Sequence, residues 1–511
     1  MASGSKTSKE SVLAHGNELL RGSIRFFHIV LMVTAAAAPL VVASAYIPIS
    51  ISSGGGNATA FIYLVTTLIL VIFTVGYAEM AKRITAAGAF YTYTTQGLGR
   101  PAGLSAGFSI LAAYSMIAPA ILGGFGYYAS ALLQEYLHIT VAWYWCSLIG
   151  LVLQIVISFF RVTLTARVLG ALLAVEVLVI LVVSLATIGR GGAEGQLPEL
   201  LSPSSLGSAP AIGIGFFLAF WSWIGFETSA IYSEETADPK KSVPRATYIA
   251  VITLGVFYAI TAYAGLIGFG GNAQNEATSQ TSNYFFILAD TYTGHFVRVI
   301  MNVLVVSSFF ACSFAFHNNA ARYLYSLGRD RILPAALGKT HRNHKSPHIA
   351  IAVQGFVAAA TVVVFAAGGA DPLLQFGTWL PIFCTLGVIV VQLMVSLGVV
   401  GYFNRVGRHS FGDRMRTVVA PLIGAIAQAV VIFLLWQNIS FLAGTDSLAV
   451  SLIPLYLGVI IVAGFAYSLW LRRYRRERYD RIGMLRDEAS GEEAPDGVAV
   501  GPVDATAAGG R

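Results

Sequence analysis

The sequence predicts an all-α membrane protein with twelve transmembrane helices, and three observations lead there. Of its 511 residues 56% are apolar and only 11% charged, against roughly 25% charged in a soluble domain. Mean hydropathy is +0.71. Apolar stretches of bilayer-crossing length, about 20 residues, recur along the whole chain. They are continuous rather than alternating, which selects helices over a membrane barrel. This composition excludes a soluble enzyme, a disordered chain and a disulfide scaffold.

The elements follow in order. Residues 1–26 are polar and of mixed charge, with no cleavage site behind a short apolar core, and read as a cytoplasmic N-terminal tail rather than a removable signal. Spans 1 to 5 fall at 27–52, 59–84, 103–133, 141–160 and 168–189. Spans 6 to 10 fall at 209–231, 246–270, 296–324, 348–369 and 374–402. Spans 11 and 12 fall at 417–439 and 448–471. The chain then turns basic at Arg472-Arg473-Tyr474-Arg475-Arg476, and 472–511 reads as a cytoplasmic, disordered tail.

Charge tests this segmentation. With the N-terminus cytoplasmic, all but two of the 32 Lys and Arg residues fall on the cytoplasmic side, leaving only Arg190 and Arg298 outside. Lys and Arg in short loops set orientation, so both termini are expected inside the cell membrane. The net charge of +7 then belongs to loops facing an anionic leaflet, and the expected partner is the lipid bilayer, with no nucleic acid. Cys146, Cys312 and Cys384 lie far apart in apolar stretches and read as core residues. No His/Cys/Asp/Glu group has metal spacing, and no phosphate-binding or nucleophile motif occurs. The expectation is therefore no metal and no cofactor, with transport driven by a gradient or by exchange.

Ionisable groups inside spans are costly and mark function by default. Glu79, at the end of span 2, sits beside Lys82 and Arg83 and reads as an interfacial ion pair. Glu176 lies mid-span 5 with no base within a turn. It is either hydrogen-bonded to a neighbouring helix or a proton or cation site, with Ser307 and Ser308 of span 8 as possible companions. Glu227 lies in span 6 among Gly213, Gly215 and Gly225, where it could orient a helix break or take up protons. His317 reads as a hydrogen bonder at the end of span 8.

Span 1 carries a matching irregularity, Ala35-Ala36-Ala37-Ala38-Pro39 followed by Ala43-Ser44-Ala45-Tyr46-Ile47-Pro48, and each proline removes a helix hydrogen bond. Spans 1 and 6 stand five apart. Interrupted helices at corresponding positions of two five-span halves point to a binding site made by an inverted repeat. The half-helix N-termini would take a carboxylate, and the freed carbonyls an amine or cation.

Beyond span 6 stand residues with a family likeness. Gly225-Phe226-Glu227, then Glu234-Glu235-Thr236-Ala237-Asp238-Pro239-Lys240-Lys241-Ser242-Val243-Pro244-Arg245-Ala246, resembles the signature of the amino acid–polyamine–organocation (APC) permeases. Ala87-Gly88-Ala89-Phe90-Tyr91-Thr92-Tyr93 and Ala321-Arg322-Tyr323-Leu324-Tyr325-Ser326-Leu327-Gly328-Arg329-Asp330 support it. The likeness covers spans 1–10 and has the style of an actinobacterial branch.

The resemblance implies a LeuT-type fold: a 5+5 inverted repeat, here 27–189 and 209–402, plus two extra C-terminal helices at 417–471. It implies secondary, non-enzymatic transport of a small amino acid or amine by alternating access, with proton-coupled amino acid symport as the leading expectation. A polyamine or organic-cation permease and an amino acid exchanger are the alternatives. The implied substrate site is Ala38, Pro39, Ala43, Ser44 and Ala45 of span 1 with Phe220, Trp221, Ser222, Trp223, Ile224 and Gly225 of span 6, and Trp221 closing over the substrate. The implied coupling residues are Glu176, Glu227, Ser307 and Ser308. A monomer or homodimer is expected. This chain has Val41-Val42-Ala43-Ser44-Ala45-Tyr46 where the family is glycine-rich, and Glu176 where proton-coupled relatives carry a lysine.

Overall fold

The computed structural model describes residues 19 and 22–484, apart from 160–161, 374, 408–409 and 445–447. Most of both expected tails, 1–18 and 485–511, lies outside the described residues. What is described is helical. The one departure is an isolated parallel bridge in which Ile24 N–H donates to Glu235 O (3.0 Å) and Ala237 N–H to Ile24 O (3.0 Å). It ties the chain entering span 1 to the loop leaving span 6.

Among the described residues eleven helices are long and apolar enough to cross a membrane. The span 4 segment forms Trp143–Phe159, 17 residues. Exposed apolar side chains recur at helical spacing on the outer spans: Ile149, Val152 and Val156; Phe356, Val363 and Val364; Ile426, Val430 and Phe433; Val459 and Val462. Spacings of three, four, seven or eight residues put each set on one helix face. In water these faces would be an aggregation hazard; in lipid they are the boundary. The chain is a multi-pass membrane protein.

Span 6 is enclosed on all sides, with 94% of its apolar window buried against 22% for span 12. Span 3 (Arg100–Leu137) lies along span 8 (His295–Arg329), span 2 (Thr59–Ala81) along span 7 (Pro239–Phe269), and span 4 along span 9 (His348–Ala367). Span 5 (Val162–Gly189) packs on span 8, and span 10 (Phe376–Val406) on span 3. Span 7 packs on the first half of span 1, and span 2 on span 6. Exchanging each span for the one five places along leaves these pairings unchanged, as an inverted repeat does.

Several elements depart from the expected segmentation. Helices Phe90–Leu98, Ala273–Ser279 and Tyr284–Tyr292 lie between spans; all three are too short for a membrane crossing to be read there, and the first two are polar as well. Residues 475–484, which composition assigns to the tail, instead continue into a short helix, Arg476–Asp480, that docks on the basic face. Tyr479 and Ile482 bury there, Arg100 donates to Asp480 O (3.1 Å), and Gly483 N–H donates to the Tyr91 hydroxyl (2.7 Å). Two apolar anchors and a satisfied backbone outweigh the ordering cost that the arginine-rich composition suggests. His317 is not at a helix end; it is buried mid-helix in span 8, beside Gly355 of span 9.

Candidate functional site: two broken helices around a small cavity

Span 1 breaks at Ala38, which is left-handed (φ 42°, ψ 71°). Pro39 has no N–H to continue the ladder, and the residue before a proline is driven out of helical geometry. Helix Phe26–Ala37 therefore stops, and Pro39–Val41 starts a second half that runs through a π-helical turn, Val42–Tyr46, into Ile47–Ser53. The break thus falls before Ala43-Ser44-Ala45. Those three residues sit within the π-helical turn, where the Ser44 hydroxyl donates to Leu40 O (2.7 Å).

Span 6 breaks after Trp223. Ile224 leaves helical geometry (ψ 129°) and Gly225 takes φ +112°. Only glycine adopts that conformation without strain, and a side chain there would also meet Ala36 Cβ at 2.6 Å. The two breaks are therefore in van der Waals contact. Helix Thr228–Ile231 resumes beyond them.

Buried groups that break a helix need partners, and several of those freed here have one. Ala36 O accepts from the Cys312 thiol of span 8 (3.1 Å), and Ala37 O from the Tyr258 hydroxyl of span 7 (2.8 Å). In span 6, Phe226 N–H turns to Trp223 O (3.1 Å), so Ser222 O loses its helical donor and faces Tyr258 instead (3.2 Å). Glu227 ties the break to its neighbours: Oε2 accepts the Gly225 N–H (3.0 Å), Oε1 accepts the Tyr114 hydroxyl of span 3, and its main-chain carbonyl accepts from Tyr77 of span 2 (3.2 Å).

Between the breaks lies a cavity of about 20 Å³, room for a water. Its walls are Ala36, Ala37, Ala38, Val41, Val42 and Tyr46 of span 1, Trp221, Ser222 and Ile224 of span 6, Ile121 of span 3, and Cys312 and Phe316 of span 8. No charged side chain lines it. Trp221 and Tyr46 meet in its wall, edge-on with ring centroids 5.8 Å apart.

Of the expected substrate residues, Ala38, Trp221, Ser222 and Ile224 line this cavity, and Gly225 lies against it. Pro39 makes the break without facing the cavity. Phe220 is buried in the surrounding core, and Trp223 packs away against Tyr63 and Tyr258. Among the expected coupling residues, Ser307 donates to Glu176 Oε1 (3.1 Å). Ser308 is buried beside the same carboxyl, its hydroxyl short of hydrogen-bond geometry. The Glu79–Lys82 pair forms as expected (2.6 Å), and Cys146, Cys312 and Cys384 are free and buried. Sequence reasoning missed Ala36, Ala37, Val41, Val42 and Tyr46 of span 1, and Ile121, Cys312, Phe316, Tyr114 and Tyr258 on other spans. Those others lie on helices that run unbroken, span 3 even through Pro119.

The basic face is sealed by ion pairs between span 8 and the loop after span 6. Arg322 reaches Glu235 Oε1 through Nε and a terminal nitrogen, both at 2.9 Å, and its guanidinium lies 3.8 Å above the Tyr232 ring. Burial raises the Glu235 carboxyl, and Arg322 opposes that shift. Arg329 grips both oxygens of Glu234 (2.8 and 3.1 Å), which also caps Ala87 N–H (2.8 Å). Asn319 of span 8 donates to Thr228 of span 6 (2.8 Å). The cavity is closed on both sides.

Comparison with known proteins agrees with this geometry. The amino acid permease family matches residues 24–463. The chain is similar to the low-affinity putrescine importer PlaP of Escherichia coli (strain K12), 23% identical over 458 residues, covering 87% of this chain and 93% of that protein. It is similar to the branched-chain amino acid permease BcaP of Lactococcus lactis, 22% identical over 445 residues, covering 80% and 86%. BcaP of Bacillus subtilis (strain 168) is 21% identical over 443 residues, covering 84% and 88%. With broken spans 1 and 6 at its centre and the family match running through nearly all its length, the chain belongs to the amino acid permeases of the APC superfamily and is a transporter, not an enzyme.

Proposed function

We propose that the protein is a secondary transporter that carries an amino acid with a small or aliphatic side chain across the cytoplasmic membrane by alternating access. The observation that carries this reading is the uncharged cavity between the breaks. Glu227 already occupies the N-terminus of the second half of span 6. The N–H groups of Leu40 and Val41, at the start of the second half of span 1, are left for a substrate carboxylate, since Val42 N–H already donates to Ala38 O (3.1 Å). The carbonyls at Ala36 and Ala37 face the amine, and Val41, Val42, Ile121 and Phe316 surround an apolar side chain. Trp221 and Tyr46 move apart to admit it, because the closed cavity holds little more than a water.

The relatives include both a putrescine importer and branched-chain amino acid permeases. A diamine needs a second anionic partner, and no carboxylate lines this cavity, which favours the amino acid. Glu176 with Ser307 is the proposed proton site, next to the substrate site rather than in it. The proposed frame has repeats at 27–189 and 209–402, both termini cytoplasmic, a monomer or homodimer, and a proton gradient rather than a bound cofactor as the driving force.

The test is a thermal-stabilisation screen of purified protein against amino acids and amines, followed by uptake into liposomes with an imposed pH gradient. Valine, leucine or isoleucine should stabilise and accumulate, and an uncoupler should abolish accumulation. Stabilisation by putrescine alone would overturn the amino acid reading. Accumulation indifferent to the uncoupler would overturn proton coupling.

A further inference from the structure

Two main-chain carbonyls freed by different helix breaks converge on one hydroxyl. Ala37 O, from span 1, lies 2.8 Å from Tyr258 Oη, and Ser222 O, from span 6, lies 3.2 Å from it. The residue is fully buried on span 7. A phenol has one hydrogen, so it donates to one carbonyl at a time, the nearer Ala37 O in this closed state. The ring is fixed on both sides. Trp223 packs edge-on with centroids 5.0 Å apart, and Tyr63 lies 5.9 Å away.

Resting on the transport reading above, we infer that Tyr258 is a positioning residue for substrate binding. Its single proton bonds Ala37 O in the closed state and swivels to Ser222 O as span 1 moves away from span 6. Two buried carbonyl oxygens facing each other without a donor repel, and each lost hydrogen bond leaves an unsatisfied acceptor. While the hydroxyl is present, span 1 can move off and the proton turns to Ser222 O, so no step of the cycle leaves both orphaned. It supplies the positive end that a cation would supply where freed carbonyls meet in a broken-helix transporter. Without it, the carbonyl pair is a place for water or a monovalent cation.

The test compares Tyr258→Phe with Tyr63→Phe in liposomes. Tyr63 is the control because its buried hydroxyl bonds the Ser222 side chain (2.9 Å) rather than a freed carbonyl. Tyr258→Phe should raise KM for the transported amino acid about tenfold, the effect of roughly one hydrogen bond to a buried acceptor, with a smaller change in maximal rate. Sodium or lithium chloride should restore part of the lost affinity, while the unmodified protein and Tyr63→Phe ignore both salts. An unchanged KM in Tyr258→Phe, or an equal rise in both variants, overturns the inference. Should Tyr258→Phe fail to fold, 3-fluorotyrosine at position 258 keeps the ring and strengthens the donor. KM should then hold or fall, and a rise overturns the inference. If the unmodified protein moves no amino acid, the transport reading fails instead. Sodium-dependent thermal stabilisation of Tyr258→Phe alone, measured without substrate, then still decides whether the hydroxyl fills a cation's place.

Discussion

Glu227 caps the break that its own segment creates: its carboxylate Oε2 accepts the N–H of Gly225, two residues earlier, at 3.0 Å. The other oxygen takes the Tyr114 hydroxyl from span 3. One side chain therefore links the unwound part of span 6 to a neighbouring helix. Glu227→Gln keeps the shape but replaces one acceptor oxygen by a donor: with its oxygen on Gly225 N–H, the amide can only donate to the Tyr114 hydroxyl, whose own proton then loses its acceptor. A loss of about 1–3 kcal/mol in stability is expected, with transport reduced tenfold or more. Thermal melts and uptake rates on the same preparation check it.

Gly225→Ala should be more damaging than its size suggests. A φ of +112° is strained for any residue with a Cβ, and that atom would stand 2.6 Å from Ala36 Cβ. Strain of about 1–3 kcal/mol is expected, together with a separation of the two breaks. Ala36→Gly in the same chain removes the collision but not the strain, so transport should recover in part. Full recovery in the double variant would show that the backbone conformation costs nothing here.

The Arg322–Glu235 pair must part if the cavity is to open to the basic face. Glu235→Gln leaves a buried guanidinium without its counter-charge, a loss of about 3–5 kcal/mol when one partner of a buried pair is removed. Because the pair belongs to the closed state, the variant should populate the open one. Cys312 lines the cavity and reports this directly. In a Cys146→Ala, Cys384→Ala background, thiol alkylation applied from the basic face should run at least tenfold faster with Glu235→Gln. Equal rates would mean that the seal lies elsewhere.

The docked C-terminal segment carries a pH dependence of defined sign. Asp330, at the end of span 8, is pushed up to about 6 by burial and by Glu234, while Arg329, the Tyr91 hydroxyl and the Gly483 N–H oppose the rise. A carboxyl raised in the docked state binds a proton more readily there than when hydrated, so docking strengthens as pH falls through 6. Between pH 8 and pH 5 the docking equilibrium should tighten by about tenfold, read as slower protease cleavage near residues 475–484. Asp330→Asn should flatten that profile. Gly483→Val should free the segment at every pH, since a Cβ there meets Thr95 at 2.7 Å.

Much of this was legible in the chain. Composition and periodicity give the membrane class, the spans and the central pair of interrupted helices, because hydropathy and helix breaking are local properties. The Pro39 break and the Gly225 break were both readable for that reason. The sequence marks two interruptions in span 1, at Pro39 and at Pro48; the helix breaks at Ala38, before Pro39, and Pro48 sits in the first turn of Ile47–Ser53. An alanine stretch has no local signal for where a helix stops, and Pro39 decides it. Trp221, expected to close over the substrate, lines the cavity between the breaks. Trp223, two residues on, was grouped with it, yet the helix turns it away into Tyr63 and Tyr258.

What the sequence by itself determined is the solvent, the rhythm of the apolar helices, the asymmetry of basic residues, and the two places where a helix cannot continue. Only the tertiary structure decided what those breaks meet: that Ala36 touches Gly225, that Glu227 caps a turn toward Tyr114, and that Tyr258 and Cys312 satisfy the freed carbonyls. Those partners come from spans 3, 7 and 8, tens to hundreds of residues away in the chain. Their own segments are unbroken apolar helices, so nothing local distinguishes them from ordinary core; they become part of the site only because packing brings their one polar atom to a backbone group that has lost its helical partner.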